Sequence, residues 1–233
     1  MESSTNGVVF FDMDQTLVAG NSTRLYASRL WKEGRISLFQ IVRVAVVFFL
    51  YRFGLIDMTR VTQRVVAGMR GMDEATLQEE CRRLFDVAID QRVYPEALLD
   101  VNRHLAAGDR VVVLSATSPY LVAPFVERYG LDGMLCSEAE VVDGKFTGKA
   151  ILPVCYGPGK LVWAQRYCDE HGFDLTRSTF YTDSCTDLPV LEVVQHPIVV
   201  NPDPRLARIA RQRNWPVRVY RPPADAVDPE TLR

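Results

Sequence analysis

The sequence predicts an α/β protein: a parallel sheet covered by helices on both faces, interrupted near its start by a helical insertion. Three observations carry that expectation. Short apolar runs alternate with amphipathic stretches along most of the chain. Several of those stretches stop at a glycine, the usual left-handed end of a helix. The first apolar run and the next convincing one lie close to a hundred residues apart, far more than an ordinary crossover.

Residues 8–11, Val-Val-Phe-Phe, read as a buried first strand. The insertion at 20–93 is expected to be a mostly helical subdomain, leaving 1–19 and 94–233 as the core domain. The core continues with a helix at 96–107 ended by Gly108, a strand at 110–114 and a helix at 121–129 ended by Gly130. A hairpin is expected at 141–147 around Asp143-Gly144. A helix at 160–171 ended by Gly172, strands at 178–181 and 198–200, a helix at 204–213 and a strand at 217–220 complete it. The tail from Arg221, with Pro222-Pro223, reads as a surface strap or a disordered end.

Composition narrows the class. The chain has 233 residues, 48% of them hydrophobic, and a net charge of −2, as expected of an ordinary globular protein. Its five cysteines are scattered, odd in number and without C-x-x-C spacing, which speaks against a disulfide framework or a structural zinc site. That usage fits a reducing compartment. The first seven residues lack the basic and apolar regions of a signal peptide, so a cytoplasmic location is expected. No nucleic-acid partner is expected, and the sequence leaves the oligomeric state open.

The average charge hides a split. Residues 20–72 hold nine basic side chains (Arg24, Arg29, Lys32, Arg35, Arg43, Arg52, Arg60, Arg64 and Arg70) against Glu33 and Asp57. Such a segment draws anions, or simply forms solvated helix faces. Within it, residues 44–51 are apolar on nearly every side of a helix. Arg43 and Arg52 bound that run, which is well short of the roughly 20 residues a membrane span needs. It reads as the centre of the inserted helical bundle, or as a surface that meets a lipid-like substrate or an anionic membrane, aided by its arginines.

The residues with chemical potential sit at strand ends and helix starts. Asp12-Met13-Asp14-Gln15-Thr16 follows the first strand. Two carboxylates so placed oppose each other's ionisation and lose hydration, a cost commonly offset by a divalent cation. Leu114-Ser115-Ala116-Thr117-Ser118 follows the second strand and offers a hydroxyl and backbone N–H groups, suited to a phosphate or to capping the next helix. Gly157-Pro158-Gly159-Lys160 opens a helix with a cation where the helix dipole disfavours one, so Lys160 needs an anion beside it or must point to solvent. Asp183-Ser184-Cys185-Thr186-Asp187 puts two carboxylates after another strand, the second at a helix start where an acidic cap is also common. Together these describe a phosphate and Mg²⁺ site, since hard oxygen ligands suit Mg²⁺ better than zinc. His104, His171 and His196 stand beside none of the motifs and read as surface or helix-end residues.

The ordered set Asp12-x-Asp14-x-Thr16, Ser115, Lys160 and Asp183-x-x-x-Asp187 resembles the haloacid dehalogenase superfamily of phosphohydrolases. The insertion after the first motif resembles its C1 cap, and the core its Rossmann-like fold. Ser-Ala-Thr-Ser-Pro, Asp-Gly-Lys-Phe-Thr-Gly-Lys, Asp-Ser-x-x-Asp-Leu-Pro and Val-Asn-Pro-Asp resemble subfamily IB, the phosphoserine-phosphatase-like hydrolases.

The resemblance implies a phosphomonoesterase working through an aspartyl-phosphate on a small phosphorylated metabolite. It makes Asp12 the nucleophile and Asp14 the acid and base, with Ser115, Ala116, Thr16 and Lys160 around the phosphoryl group and Asn21 on the substrate-binding side. Mg²⁺ would be held by Asp12, the Asp14 carbonyl and Asp183, with Asp187 and Thr186 standing behind them. Three departures bear on the substrate. Phosphoserine phosphatases carry a glutamate that reads the substrate amino group where this chain has Asn21, which makes phosphoserine itself an unexpected substrate. Thr186 replaces a usual asparagine, and Gln15 stands where glycine or serine is common. A phospholipid-headgroup phosphatase and a catalytically silent module that binds phosphorylated ligands are the alternatives.

Overall fold

The computed structural model describes residues 7–37, 58–223 and 226 of the chain. Its centre is a six-stranded parallel sheet in the order β3-β2-β1-β6-β7-β8. The strands are β1 (Val8–Phe11), β2 (Arg110–Leu114), β3 (Gly133–Leu135), β6 (Thr179–Thr182), β7 (His196–Val200) and β8 (Val217–Arg218). Phe10 lies level with Val112 on one side and Phe180 on the other, so β1 is central and needs no polar face.

Alternation along each strand feeds two cores. Val8, Phe10, Val112, Leu114 and Phe180 join one, with residues of α6 (Pro158–His171) and α8 (Pro204–Arg213). Val9, Phe11, Val111, Val113 and Tyr181 face the other, with α4 (Pro95–Ala107) and α5 (Pro119–Tyr129). Phe11 and Tyr181 stack at 4.2 Å between ring centres in that layer.

Between β1 and α4 run α1 (Ser22–Lys32), α2 (Met58–Ala67) and α3 (Glu74–Leu84), the last continued by a π turn at Phe85–Ile89. Leu25, Leu77, Cys81, Leu84, Phe85 and Ile89 join the core under α5. Phe85 meets Phe125 edge-on at 6.5 Å, and Arg82 pairs with Glu127. The antiparallel hairpin of β4 (Ala139–Val142) and β5 (Lys145–Ala150) hydrogen-bonds to this inserted region: Gly71 N–H donates to Phe146, and Phe146 N–H to Met72. Segments on either side of the expected 93/94 boundary are therefore joined there.

Most expected elements fall within two residues of their observed bounds. Ser178 lies outside β6, because its hydroxyl accepts the Val8 N–H at 3.0 Å and so closes the sheet edge by a side chain. The last strand stops at Arg218, since Tyr220 N–H turns to the Asn201 side chain. The three-residue β3 was not expected, being too short to show a pattern. The apolar run at 44–51 lies outside the described residues. Among the described residues no helix is long and apolar enough to cross a membrane.

Candidate active site

The carboxyl ends of β1, β2 and β6 form one edge, with the start of α6 beside it. Asp12 extends β1, its N–H donating to the Tyr181 carbonyl at 2.9 Å. The chain then turns sharply: Leu17 and Val18 N–H groups both return to the Met13 carbonyl, and Gln15 takes a left-handed conformation (φ +60°). Thr16 is fully buried in this turn, and its hydroxyl has no hydrogen-bond partner.

Lys160 reaches the site from the first turn of α6. A Cβ on Gly159 would lie 1.9 Å from the Val154 carbonyl oxygen, so only glycine lets α6 begin this close to the preceding loop. The Lys160 ammonium lies 3.1 Å from Asp12 and 2.7 Å from Asp187, and it is 2% exposed. These two anions supply what the helix start denies it. Burial works against the charge, but Asp12 and Asp187 outweigh it and hold the ammonium above its ordinary range. Asp187 also accepts from the Thr182 hydroxyl at 2.7 Å, and its side chain does not cap the short helix α7 (Leu188–Leu191) that follows it.

The other carboxylates are less well compensated. Burial pushes the Asp12 carboxyl up from 3.8 to about 7; Lys160 pulls it back, and Asp187 and Asp14 raise it further. Burial, then Asp12 and Asp187, push Asp183 up to about 8 against the pull of Lys160. Asp14 is likewise raised by burial, while the Ser22 N–H and Lys160 favour its charged form. Ser115 stands level with the turn after β1. Its N–H donates to Leu135 and its hydroxyl accepts the Thr117 N–H at 3.3 Å. Ser118 caps α5 through its contact with the Tyr120 N–H, so Ser115 has no capping duty. Ala116 is exposed beside it.

The profile of the haloacid dehalogenase-like hydrolase family matches residues 9–192, which span all of these motifs. This chain belongs to that family. It is 32% identical over 216 residues to phosphoserine phosphatase SerB1 of Mycobacterium tuberculosis H37Rv, covering 91% of this chain and 70% of that one. It is 27% identical over 215 residues to the histidinol-phosphatase of Neisseria meningitidis serogroup C, covering 90% and 97%. The solved structure of a protein with unknown function from Bordetella pertussis Tohama I superposes with a TM-score of 0.83 at 28% identity, over 91% of this chain and 98% of that one.

Within this hydrolase framework, Asn21 and Thr186 both bond to neighbouring groups of the protein. The Asn21 amide donates to Asp14 Oδ2 at 2.9 Å while its carbonyl accepts the Arg24 N–H at 2.9 Å. Thr186 bonds to the Ser184 hydroxyl at 2.9 Å, within its own loop. His104 lies in the last turn of α4, as expected of a helix-end residue, and bridges Asp109 and the Tyr181 hydroxyl under the sheet. His171 and His196 are exposed.

Sequence reasoning missed four hydroxyls. Thr182 orients Asp187, and Thr117 lies 3.4 Å from the Ser22 hydroxyl and 3.0 Å from that of Thr23. The start of α1 is thereby tied to the loop that carries Ser115. No periodicity marks such residues; only the placement of Thr182 just before Asp183 hinted at one.

Asp12 and Asp183 could offer carboxylate oxygens, and Asp14 a main-chain carbonyl, to a hard cation such as Mg²⁺, which keeps several of its own waters. Four aspartates around Lys160 leave excess negative charge that a divalent cation would balance. A cavity of about 500 Å³ opens at the opposite edge of the sheet, by Thr179, His196, Arg213 and Trp215, and holds none of the motif residues.

Proposed function

We propose that this hydrolase is a Mg²⁺-dependent phosphomonoesterase acting on a small organic phosphate other than phosphoserine. The observation that carries the reading is the buried Asp12–Lys160–Asp187 chain, which aims a fixed cation at the carboxylate best placed to attack. The relatives named phosphoserine phosphatase and histidinol-phosphatase support the same reaction class. The first of those substrates needs a charged partner for its amino group, and Asn21 is uncharged and already engaged.

Asp12 attacks phosphorus in line. The bond from phosphorus to the alkoxide oxygen breaks, and the proton on Asp14 passes to that oxygen, so an alcohol leaves. Asp14, now a carboxylate, takes a proton from the water that attacks the aspartyl-phosphate. Phosphate departs, and Asp12 is restored as a carboxylate. Lys160 and Ser115 hold the phosphoryl oxygens through both transfers, where charge stabilisation matters most. Asp187 and Thr182 keep Lys160 from swinging away. Mg²⁺ held by Asp12, the Asp14 carbonyl and Asp183 would neutralise phosphoryl charge and keep the buried Asp12 ionised.

The test is phosphate release from a panel of alkyl and aryl phosphates, with Mg²⁺ and with chelator. Wild type is expected to turn over several members only when Mg²⁺ is present. Asp12→Asn should lose at least about a thousandfold in activity while keeping its unfolding midpoint. Normal turnover in that variant would remove Asp12 from the mechanism.

A further inference from the structure

The position where the related phosphoserine phosphatases are expected to meet their substrate is wired in this chain to the proton-transfer group. Asp14 is gripped at both oxygens from the first residues of α1: the Asn21 amide donates to Oδ2 and the Ser22 N–H to Oδ1, each at 2.9 Å. Asn21 cannot drift, because its carbonyl caps α1 on the Arg24 N–H. Ser22 is fully buried, and Thr117 on the Ser115 loop contacts both Ser22 and Thr23. An unbroken run of contacts therefore links Asp14, the start of α1 and the phosphate-facing Ser115.

We infer that Asn21 is a positioning residue for Asp14, fixing the direction in which its carboxyl meets the leaving oxygen, and that it makes no contact needed for substrate binding. The inference rests on the phosphatase reading. A carboxyl group offers about four lone-pair directions. The two donors occupy one on each oxygen, so rotation about the bond to the carboxyl is stopped and the remaining directions are fixed. Proton delivery to an alkoxide depends on that alignment, whereas departure of a stable phenolate needs little help from an acid. Because Asn21 carries no charge, the substrate meets no ionic selector there. The enzyme should therefore take alkyl phosphates whose recognition does not depend on an ionic contact to an amino group.

The isosteric Asn21→Asp keeps the helix cap, because aspartate and asparagine cap about equally, and replaces the donor to Asp14 by an acceptor. Asn21→Ser also keeps a cap and cannot reach Asp14 with an amide. Both are compared with wild type, in Mg²⁺, by kcat/KM on p-nitrophenyl phosphate and on whichever of histidinol phosphate and 2-glycerophosphate wild type turns over best. Because kcat/KM reports only the steps up to alcohol departure, the later attack by water does not enter. Unfolding midpoints are measured alongside. Positioning predicts a loss of about tenfold or more on the alkyl phosphate, a fraction of what general acid catalysis supplies, and under about threefold on the aryl phosphate. Equal losses on both substrates, or no loss on either, would overturn the inference and return Asn21 to substrate binding or simple capping. Wild type that hydrolyses neither substrate would instead overturn the phosphatase reading, and this inference with it.

Discussion

Asp100 and Asp12 are buried aspartates in one α/β core, yet they keep different company. Asp100, on α4, meets the Arg103 guanidinium at 2.8 Å, the Arg218 guanidinium and the Tyr220 hydroxyl. The network runs on through Arg103, Tyr181, His104 and Asp109. Cations and hydroxyl donors there match the carboxylates they serve. At the catalytic edge, Asp12 shares Lys160 with Asp187 while Asp14 and Asp183 add charge nearby. A satisfied cluster holds β8 and the end of the sheet to α4. The under-compensated one stores unfavourable charge at the proposed cation and phosphate site, and such imbalance is a mark of functional sites.

The sharpest way to break the contrast is Lys160→Met. It leaves Asp187, 1% exposed, with the Thr182 hydroxyl as its hydrogen-bonding partner among the described side chains. Removing one partner of a buried ion pair costs about 3–5 kcal/mol, read in chemical denaturation. An unchanged midpoint would mean that the pair is not a buried charged one. Asp100→Asn should cost about 2 kcal/mol and leave kcat unchanged, since charged hydrogen bonds are lost far from the reacting atoms. A drop in kcat at constant stability would place that network in the reaction after all.

Asp183→Asn should act in the opposite sense. In the folded protein this carboxyl is pushed from 3.8 up to about 8, so between those values the unfolded chain loses its proton while the folded one keeps it. Asp183 therefore detracts from stability increasingly as pH rises through that window, and not at all below it. The variant should be more stable than wild type by about 0.5–2 kcal/mol above pH 8 without metal, with no gain below its ordinary value, although its Mg²⁺-dependent activity is lost. Adding Mg²⁺ should raise the midpoint of wild type alone. Denaturation curves from pH 4 to 8.5 check this; a gain that is flat with pH would refute the charge account.

The placement of much of the candidate site was legible in the sequence. Asp12, Asp14, Ser115, Lys160, Asp183 and Asp187 each stand just after an apolar run or at a helix start. Parallel strands bring such positions to one edge whatever their separation along the chain. The hydroxyls of Ser22, Thr23 and Thr117 were not legible, because their partners lie more than ninety residues away and a lone hydroxyl has no period. Asn21 was visible as a departure, but its use was not: an amide serves equally as substrate contact, cap or clamp, and only its neighbours choose. The hairpin at β4 and β5 was anticipated from Asp143-Gly144, while its pairing with residues 71–74 depends on a non-local approach.

The positions of most strands, the helix ends and the identity of the charged groups were thus determined by the sequence itself, because apolar alternation, glycine stops and costly carboxylates are local properties. The tertiary structure decided how those charges are shared. It gave Lys160 to Asp12 and Asp187, joined Asn21 to Asp14, and left Asp183 raised. Desolvation and proximity act through space, and neither can be read until the strands have brought distant residues together.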